Sequence, residues 1–179
     1  VREDIDLVVI ATPNHLHHPQ ALAALTSGRH VVVDKPFALD AAQAGELVDV
    51  AARTGRLLSV FHNRRWDGDL LTVQRLLREG RLGRVVAFES RFDRFRPLVP
   101  NRWRDSDGPG GGLWIDLGPH LIDQALRLFG TPEALTLDRT ALRDGGRADD
   151  WFLASLRWAD GPRVTLGASA LTAIPGARF

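Results

Sequence analysis

The sequence predicts an α/β unit followed by an α+β unit, and three observations carry the prediction. Between residues 5 and 61, short β-branched runs alternate with segments of helical period. After His62 the rhythm changes, and strands come grouped rather than alternating with helices. The chain has 179 residues at 44% hydrophobic content, enough for one ordinary domain or the pieces of two.

In chain order, Ile5 to Ala11 is an apolar run expected as a strand buried on both faces. Thr12-Pro13-Asn14 breaks it, and alanines and leucines at helical spacing follow from His15 to Ser27, with Gly28 as C-terminal cap. His30 to Asp34 is a second buried strand. Asp40 then caps a helix from Ala41 to Arg53, with Gln43 as capping-box partner and Gly55 as the stop. Leu57 to Phe61 is the third strand. Strand–helix–strand–helix–strand with short links is a βαβαβ unit, and right-handed crossovers make its sheet parallel.

The second unit begins with an amphipathic helix from Leu70 to Glu79, ended by Gly80. From Val85 to Phe95, Ala87, Glu89, Arg91 and Asp93 alternate with Val86, Phe88, Ser90 and Phe92, as in a strand with two unlike faces. A loop rich in Pro, Gly and Arg spans Arg96 to Gly112. A helix is expected from about Asp116 to Phe129, capped by Gly130. Leu135–Leu142, Trp151–Trp158 and Arg163–Leu171 read as strands, the last two joined as a hairpin through Ala159-Asp-Gly-Pro162. This is an α+β unit on an antiparallel sheet. The expected domains are 1–61 and 62–179.

A formal charge of +1 argues neither for nucleic acid nor for a membrane surface, and neither is expected as a partner. The absence of cysteine excludes disulfides and thiolate metal sites and fits a reducing, cytoplasmic setting. No apolar run is long enough to span a membrane, and no signal peptide opens the sequence. The chain starts at Val1, contains no methionine and stops at Phe179, which reads as an internal piece of a longer protein with both domains incomplete.

Lys35 is the single lysine among 23 basic residues. Arginine replaces lysine freely on a solvated surface. It does not where a compact ammonium must approach a reacting group, because guanidinium is planar and bulky. Lys35 also leaves the second strand at the sheet edge where α/β proteins bind ligands. Thr12, Pro13, Asn14 and His17 leave the first strand at the same edge, and His62, Asn63, Arg64 and Arg65 the third. A plain turn and surface arginines over apolar residues are the bland alternatives. His15, His17 and His18 lie too close together to share one face, so no metal site is expected.

Asp116, His120 and Asp123 follow one another at i, i+4 and i+7, forming one stripe on a helix. Leu117, Leu121 and Leu128 lie on the neighbouring face, which should meet the core. An imidazole between carboxylates suits proton transfer near neutral pH. An ordinary solvated helix face is the competing reading. Gly110-Gly-Gly112 upstream allows close backbone approach, and Gly118-Pro119 constrains the first turn. Trp103 and Arg104, in the long loop, are candidates to stack on a flat ring.

Together these residues resemble the Gfo/Idh/MocA family of nicotinamide-dependent sugar and polyol oxidoreductases. Asp34-Lys35-Pro36 is similar to the family's Glu-Lys-Pro signature, with Asp for Glu. Gly110-Gly-Gly-Leu-Trp-Ile-Asp-Leu-Gly-Pro-His-Leu-Ile-Asp123 resembles its long Gly-Gly/Asp/Gly/His/Asp helix motif. Ser59 to Asp67, Phe92 to Pro97 and Trp103-Arg104 resemble the members that include NADP-dependent scyllo-inositol dehydrogenases.

The resemblance implies the C-terminal part of a Rossmann-like sheet, then a substrate-binding and oligomerisation domain. It implies that Lys35 hydrogen-bonds the reacting hydroxyl and the nicotinamide ribose. His120 would be the general acid/base, and Asp116 would orient substrate and imidazole. Thr12, Pro13, Asn14, His17 and Pro36 would line the cofactor cleft, with Asn63, Trp103 and Arg104 beside the cofactor and Arg64 beside the substrate. The cofactor would be NAD or NADP, with NADP favoured. No Gly-x-Gly-x-x-Gly follows a strand, so the pyrophosphate turn is absent and the chain by itself should bind cofactor poorly and turn nothing over. A dinucleotide-binding regulator and an NAD-dependent glycosidase are the alternatives, and Lys35, Asp116 and His120 favour the dehydrogenase. By the same resemblance, the C-terminal sheet would pair subunits into a homodimer or tetramer.

Overall fold

The computed structural model describes residues 2, 4–99, 102 and 105–179. Its contacts cluster into two units, Val1–His62 and Asn63–Phe179.

In the first unit β1 (Leu7–Ile10), β2 (His30–Asp34) and β3 (Leu58–Phe61) form a parallel sheet in that order. α1 (His17–Thr26), preceded by a 3-10 turn at Asn14–Leu16, and α2 (Ala41–Thr54) make the crossovers. Local signals set their ends. Asp40 accepts from the Gln43 amide at 2.8 Å, a cap worth about 1 kcal/mol. The Gln43 side chain reaches back to the Leu39 amide at 3.2 Å, one residue short of the capping-box position. Gly55 ends α2 with φ +64°, in the left-handed region that favours glycine.

The strand order explains a departure from the sequence reading. Two right-handed crossovers that step in one direction put both helices on the same face of the sheet. Ile10, Val31 and Val33 therefore pack with Ala21, Leu25, Leu47 and Val50, while the alternate positions stay open. Leu7 and Val9 are 49% and 66% exposed, so β1 is buried on one face and not on two.

In the second unit α3 (Gly68–Arg78) precedes β4 (Ala87–Asp93), and α4 (Leu113–Phe129) leads into β5 (Ala134–Thr140), β6 (Trp151–Arg157) and β7 (Arg163–Ser169). The sheet order is β4-β7-β6-β5. β5, β6 and β7 pair antiparallel as expected, but β4 joins β7 in parallel. The sheet is therefore mixed. The α4 crossover starts β5 in the direction of β4, and two reversals return β7 to that direction. Leu117, Leu121 and Ala125 of α4 bury against Phe152, Ala154, Leu156, Val164, Leu166 and Ala168. Leu128 is only half-buried and lies outside that cluster.

α4 begins three residues before Asp116 and runs through Pro119. Its first turn is capped from a distance. The Leu113 amide donates to the Asp149 carbonyl at 2.8 Å, and the Trp114 amide to the Asp149 carboxylate at 2.6 Å. Gly118 gives the indole of Trp114 room to lie against the helix, since a Cβ there would stand 2.7 Å from its ring. That indole meets Phe152 edge-on at 5.1 Å.

Candidate active site

In the first unit the C-terminal sheet edge delivers the polar residues. Ile10 pairs with Val33, so Thr12 and Lys35 leave adjacent strands at matched positions. Thr12 donates to the Gln20 side chain at 2.8 Å, and Asn14 is buried at the start of the 3-10 turn. Lys35 is half-buried, Pro36 follows it through a cis peptide, and the Lys35 amide donates to the Asp34 carboxylate at 2.8 Å. His17 lies below these turns, 1% exposed. Its Nδ1 is 2.7 Å from the Pro36 carbonyl and its Nε2 2.8 Å from the Thr12 carbonyl. The ring thus ties the turn after β1 to the turn after β2, and its nitrogens are turned to backbone.

In the second unit the Asp116, His120 and Asp123 stripe is not a solvated face. His120 is 5% exposed and Asp123 9%, with Asp116 half-buried. Phe92 of β4 meets the imidazole edge-on at 6.5 Å between centroids. Asp123 accepts two hydrogen bonds from Arg65, at 2.8 and 2.5 Å, which anchor the 3-10 turn Asn63–Trp66 to α4. Gln124 supports the same turn by donating to the Arg64 carbonyl at 3.1 Å.

Arg64 donates to Asp67 at 3.0 Å and lies over the Phe92 ring at 4.8 Å, while Asn63 is exposed. Burial alone would raise the Asp67 carboxyl, but hydrogen bonds from Arg64 and Arg178 hold it below the ordinary carboxylate range. Trp103 and Arg104 lie outside the described residues. Among the described residues, no group of three or more His, Asp or Glu is placed to hold a metal ion.

Two carboxylates that the sequence reading passed over organise this unit. Asp149 caps α4, and its carboxylate stands where a Cβ on Gly112 would go; Gly112 has φ +95°. Burial pushes the Asp149 carboxyl above its usual range, outweighing the Trp114 amide and the Arg139 guanidinium. Asp150 is 1% exposed and accepts from the Leu142 and Arg143 amides and from Arg143 Nε. Adjacent Asp residues after Gly145-Gly146 and just before a strand were the available signal. Beside Asp149 lies a cavity of about 190 Å³, walled by Arg94, Arg96, Arg102 and Arg143 and by Asp105 and Asp116.

A parallel βαβαβ sheet followed by a helix-backed mixed sheet fits part of a dinucleotide-binding Rossmann domain joined to an α/β domain. The chain belongs to the Gfo/Idh/MocA family. Residues 1–62 match its oxidoreductase domain of NAD-binding Rossmann fold, and residues 70–179 match the GFO/IDH/MocA C-terminal domain. It is 54% identical over 176 residues to the oxidoreductase YdgJ of Escherichia coli, covering 98% of this chain and 51% of that protein. It is 39% identical over 169 residues to the NADP(+)-dependent scyllo-inositol 2-dehydrogenase IolW of Bacillus subtilis, covering 94% of this chain and 47% of that protein. A solved oxidoreductase of Yersinia pestis superposes with a TM-score of 0.90 at 55% identity, over 97% of this chain and 49% of that one. The chain spans about half the length of the curated relatives it matches.

Proposed function

We propose that the full-length protein is an NAD(P)-dependent dehydrogenase acting on a hydroxyl of a sugar or cyclic polyol. The observation that carries the reading is the buried His120 one helical turn beyond Asp116, a carboxylate that lines a cavity. Relatives whose names specify scyllo-inositol and D-glucosides support the substrate class.

The polar groups leaving β1 and β2 fit the nicotinamide end of a dinucleotide. Thr12, Asn14 and Lys35 offer donors and acceptors for a carboxamide and ribose hydroxyls. No Gly-x-Gly-x-x-Gly follows a strand, so these residues do not supply the pyrophosphate turn. A bound nicotinamide supplies the hydride acceptor. His120 takes the hydroxyl proton as the carbon–hydrogen bond breaks, and returns it in the reverse direction. Asp116 orients the hydroxyl towards that imidazole. The resemblance assigns Lys35 as hydrogen-bond donor to the reacting oxygen. His17 acts through backbone, holding the turns that present Thr12 and Pro36. Pairing of subunits through the face of the β4–β7 sheet away from α4 rests on family likeness. A preference for NADP rests on the name of IolW.

The test is formation of reduced cofactor by the full-length protein with inositols and aldoses, with NAD and NADP supplied separately. Turnover establishes the dehydrogenase and names its cofactor. Tight dinucleotide binding without turnover favours a regulator, and sugar release without net cofactor reduction favours the glycosidase.

A further inference from the structure

The cavity beside Asp116 carries a charge pattern that the proposed reaction on a neutral polyol does not use. Asp105 and Asp149, two carboxylates of its lining, each pair with an arginine. Asp105 pairs with Arg102 at 2.9 Å and with Arg143 at 3.1 Å. Asp149 pairs with Arg139 at 3.3 Å and accepts from the Trp114 amide. Arg143 is held by Asp150 as well, at 2.9 Å.

Arg94 and Arg96 remain. Among the described residues, neither has a carboxylate within ion-pair distance, although Arg94 is half-buried. Burial, and next the charge of Arg96, holds the Arg94 guanidinium below its ordinary range. Asp116 opposes that push, and Arg64 and Arg102 add to it. A partly desolvated cation in a positive field is costly unless an anion joins it. Neutral hydroxyls would accept its hydrogen bonds and leave its charge uncompensated. A guanidinium fork matches the two oxygens of a carboxylate or phosphate.

We infer that Arg94, with Arg96 beside it, binds an anionic substituent, a carboxylate or phosphate, carried by the sugar or polyol substrate. The inference rests on the dehydrogenase reading, because Asp116 lines the same cavity and stands one helical turn before His120. An anion held by the arginine wall would leave the neutral carbinol end of the substrate for His120.

The experiment uses the full-length protein and matched substrates: glucose, glucuronate and glucose 6-phosphate, and myo-inositol beside an inositol monophosphate. Reduced cofactor is followed for wild type, Arg94→Gln and Arg94→Lys, with Arg127→Gln, in the last turn of α4, as the charge-loss control. The charged member of a pair is expected to show the lower KM. Arg94→Gln should raise that KM roughly 10- to 100-fold, the scale of a hydrogen bond to a charged group, and shrink the charged-over-neutral preference. Arg94→Lys should fall between. Equal or better turnover of the neutral members, unchanged in preference by Arg94→Gln, would overturn the inference and leave the dehydrogenase standing.

If no substrate reduces cofactor, the reaction reading fails, and calorimetric titration with glucuronate, glucose 6-phosphate and inorganic phosphate decides the site. Sugar anions that bind more tightly than inorganic phosphate, and lose that affinity in Arg94→Gln, support it. Absent binding, binding indifferent to Arg94→Gln, or inorganic phosphate bound as tightly as the sugar anions overturns it.

Discussion

His17 holds the carbonyl of Pro36 at 2.7 Å from a ring that is almost wholly buried. Its other nitrogen faces the Thr12 carbonyl, so one side chain sets the spacing of the turns after β1 and β2. His17→Phe removes the ring N–H that faces these carbonyls and should cost the full-length protein about 1–3 kcal/mol in denaturant unfolding. His17→Gln, which keeps a donor, should recover part of the loss. Equal stability of wild type and His17→Phe would remove the tie from the account.

Asp149 should behave as a helix cap supplied from 35 residues away. Asp149→Ala is expected to lower stability by about 0.5–2 kcal/mol, the range of a lost cap. The pH dependence has a definite sign. Burial raises the native carboxyl's pKa, so the native state holds this proton more tightly than the unfolded chain. The contribution is fully present below the ordinary aspartate range and is lost as pH rises through the raised native value. Asp149→Asn keeps an acceptor oxygen and should flatten that part of a stability–pH curve, read by thermal melts at several pH values.

Gly112 is required for two reasons, a φ of +95° and the Asp149 carboxylate that occupies the place of a side chain. Gly112→Ala should lower the melting temperature and kcat/KM together, because it displaces the first turn of the helix bearing Asp116. Gly45, in α2, has open space where a Cβ would stand and is the contrast. Gly45→Ala should stabilise by up to about 1 kcal/mol.

Ser90, in β4, is fully buried, and among the described residues its hydroxyl has no hydrogen-bond partner. A buried, unsatisfied hydroxyl gives nothing back for its desolvation. Ser90→Ala is therefore expected to be neutral or stabilising in denaturant unfolding. A loss above about 1 kcal/mol would mean that the hydroxyl is satisfied in solution.

What the sequence made legible was local. Asp40, Gln43 and Gly55 mark the ends of α2 within a few residues of themselves, and alternation in β4 places Phe88 and Phe92 towards the core. What it hid depends on partners distant in the chain. The start of α4 is set by Asp149, the parallel pairing of β4 with β7 by the α4 crossover, and the exposure of Val9 by the face on which both helices land. The candidate site divides the same way. The spacing of Asp116, His120 and Asp123 was readable, whereas the pairing of Asp123 with Arg65, 58 residues away, was not. Nor was the arginine wall, since its members are brought together from the end of β4 and the long loop that follows it and from the segment after β5.

The most direct test of the central claim is steady-state turnover of the full-length protein against its His120→Asn variant, on whichever polyol and cofactor the panel selects. Wild type is expected to form reduced cofactor, and the variant to lose at least about 100-fold in kcat while keeping its dinucleotide affinity. Wild-type turnover in the variant would show that the buried imidazole is not the acid/base, and would contradict the account.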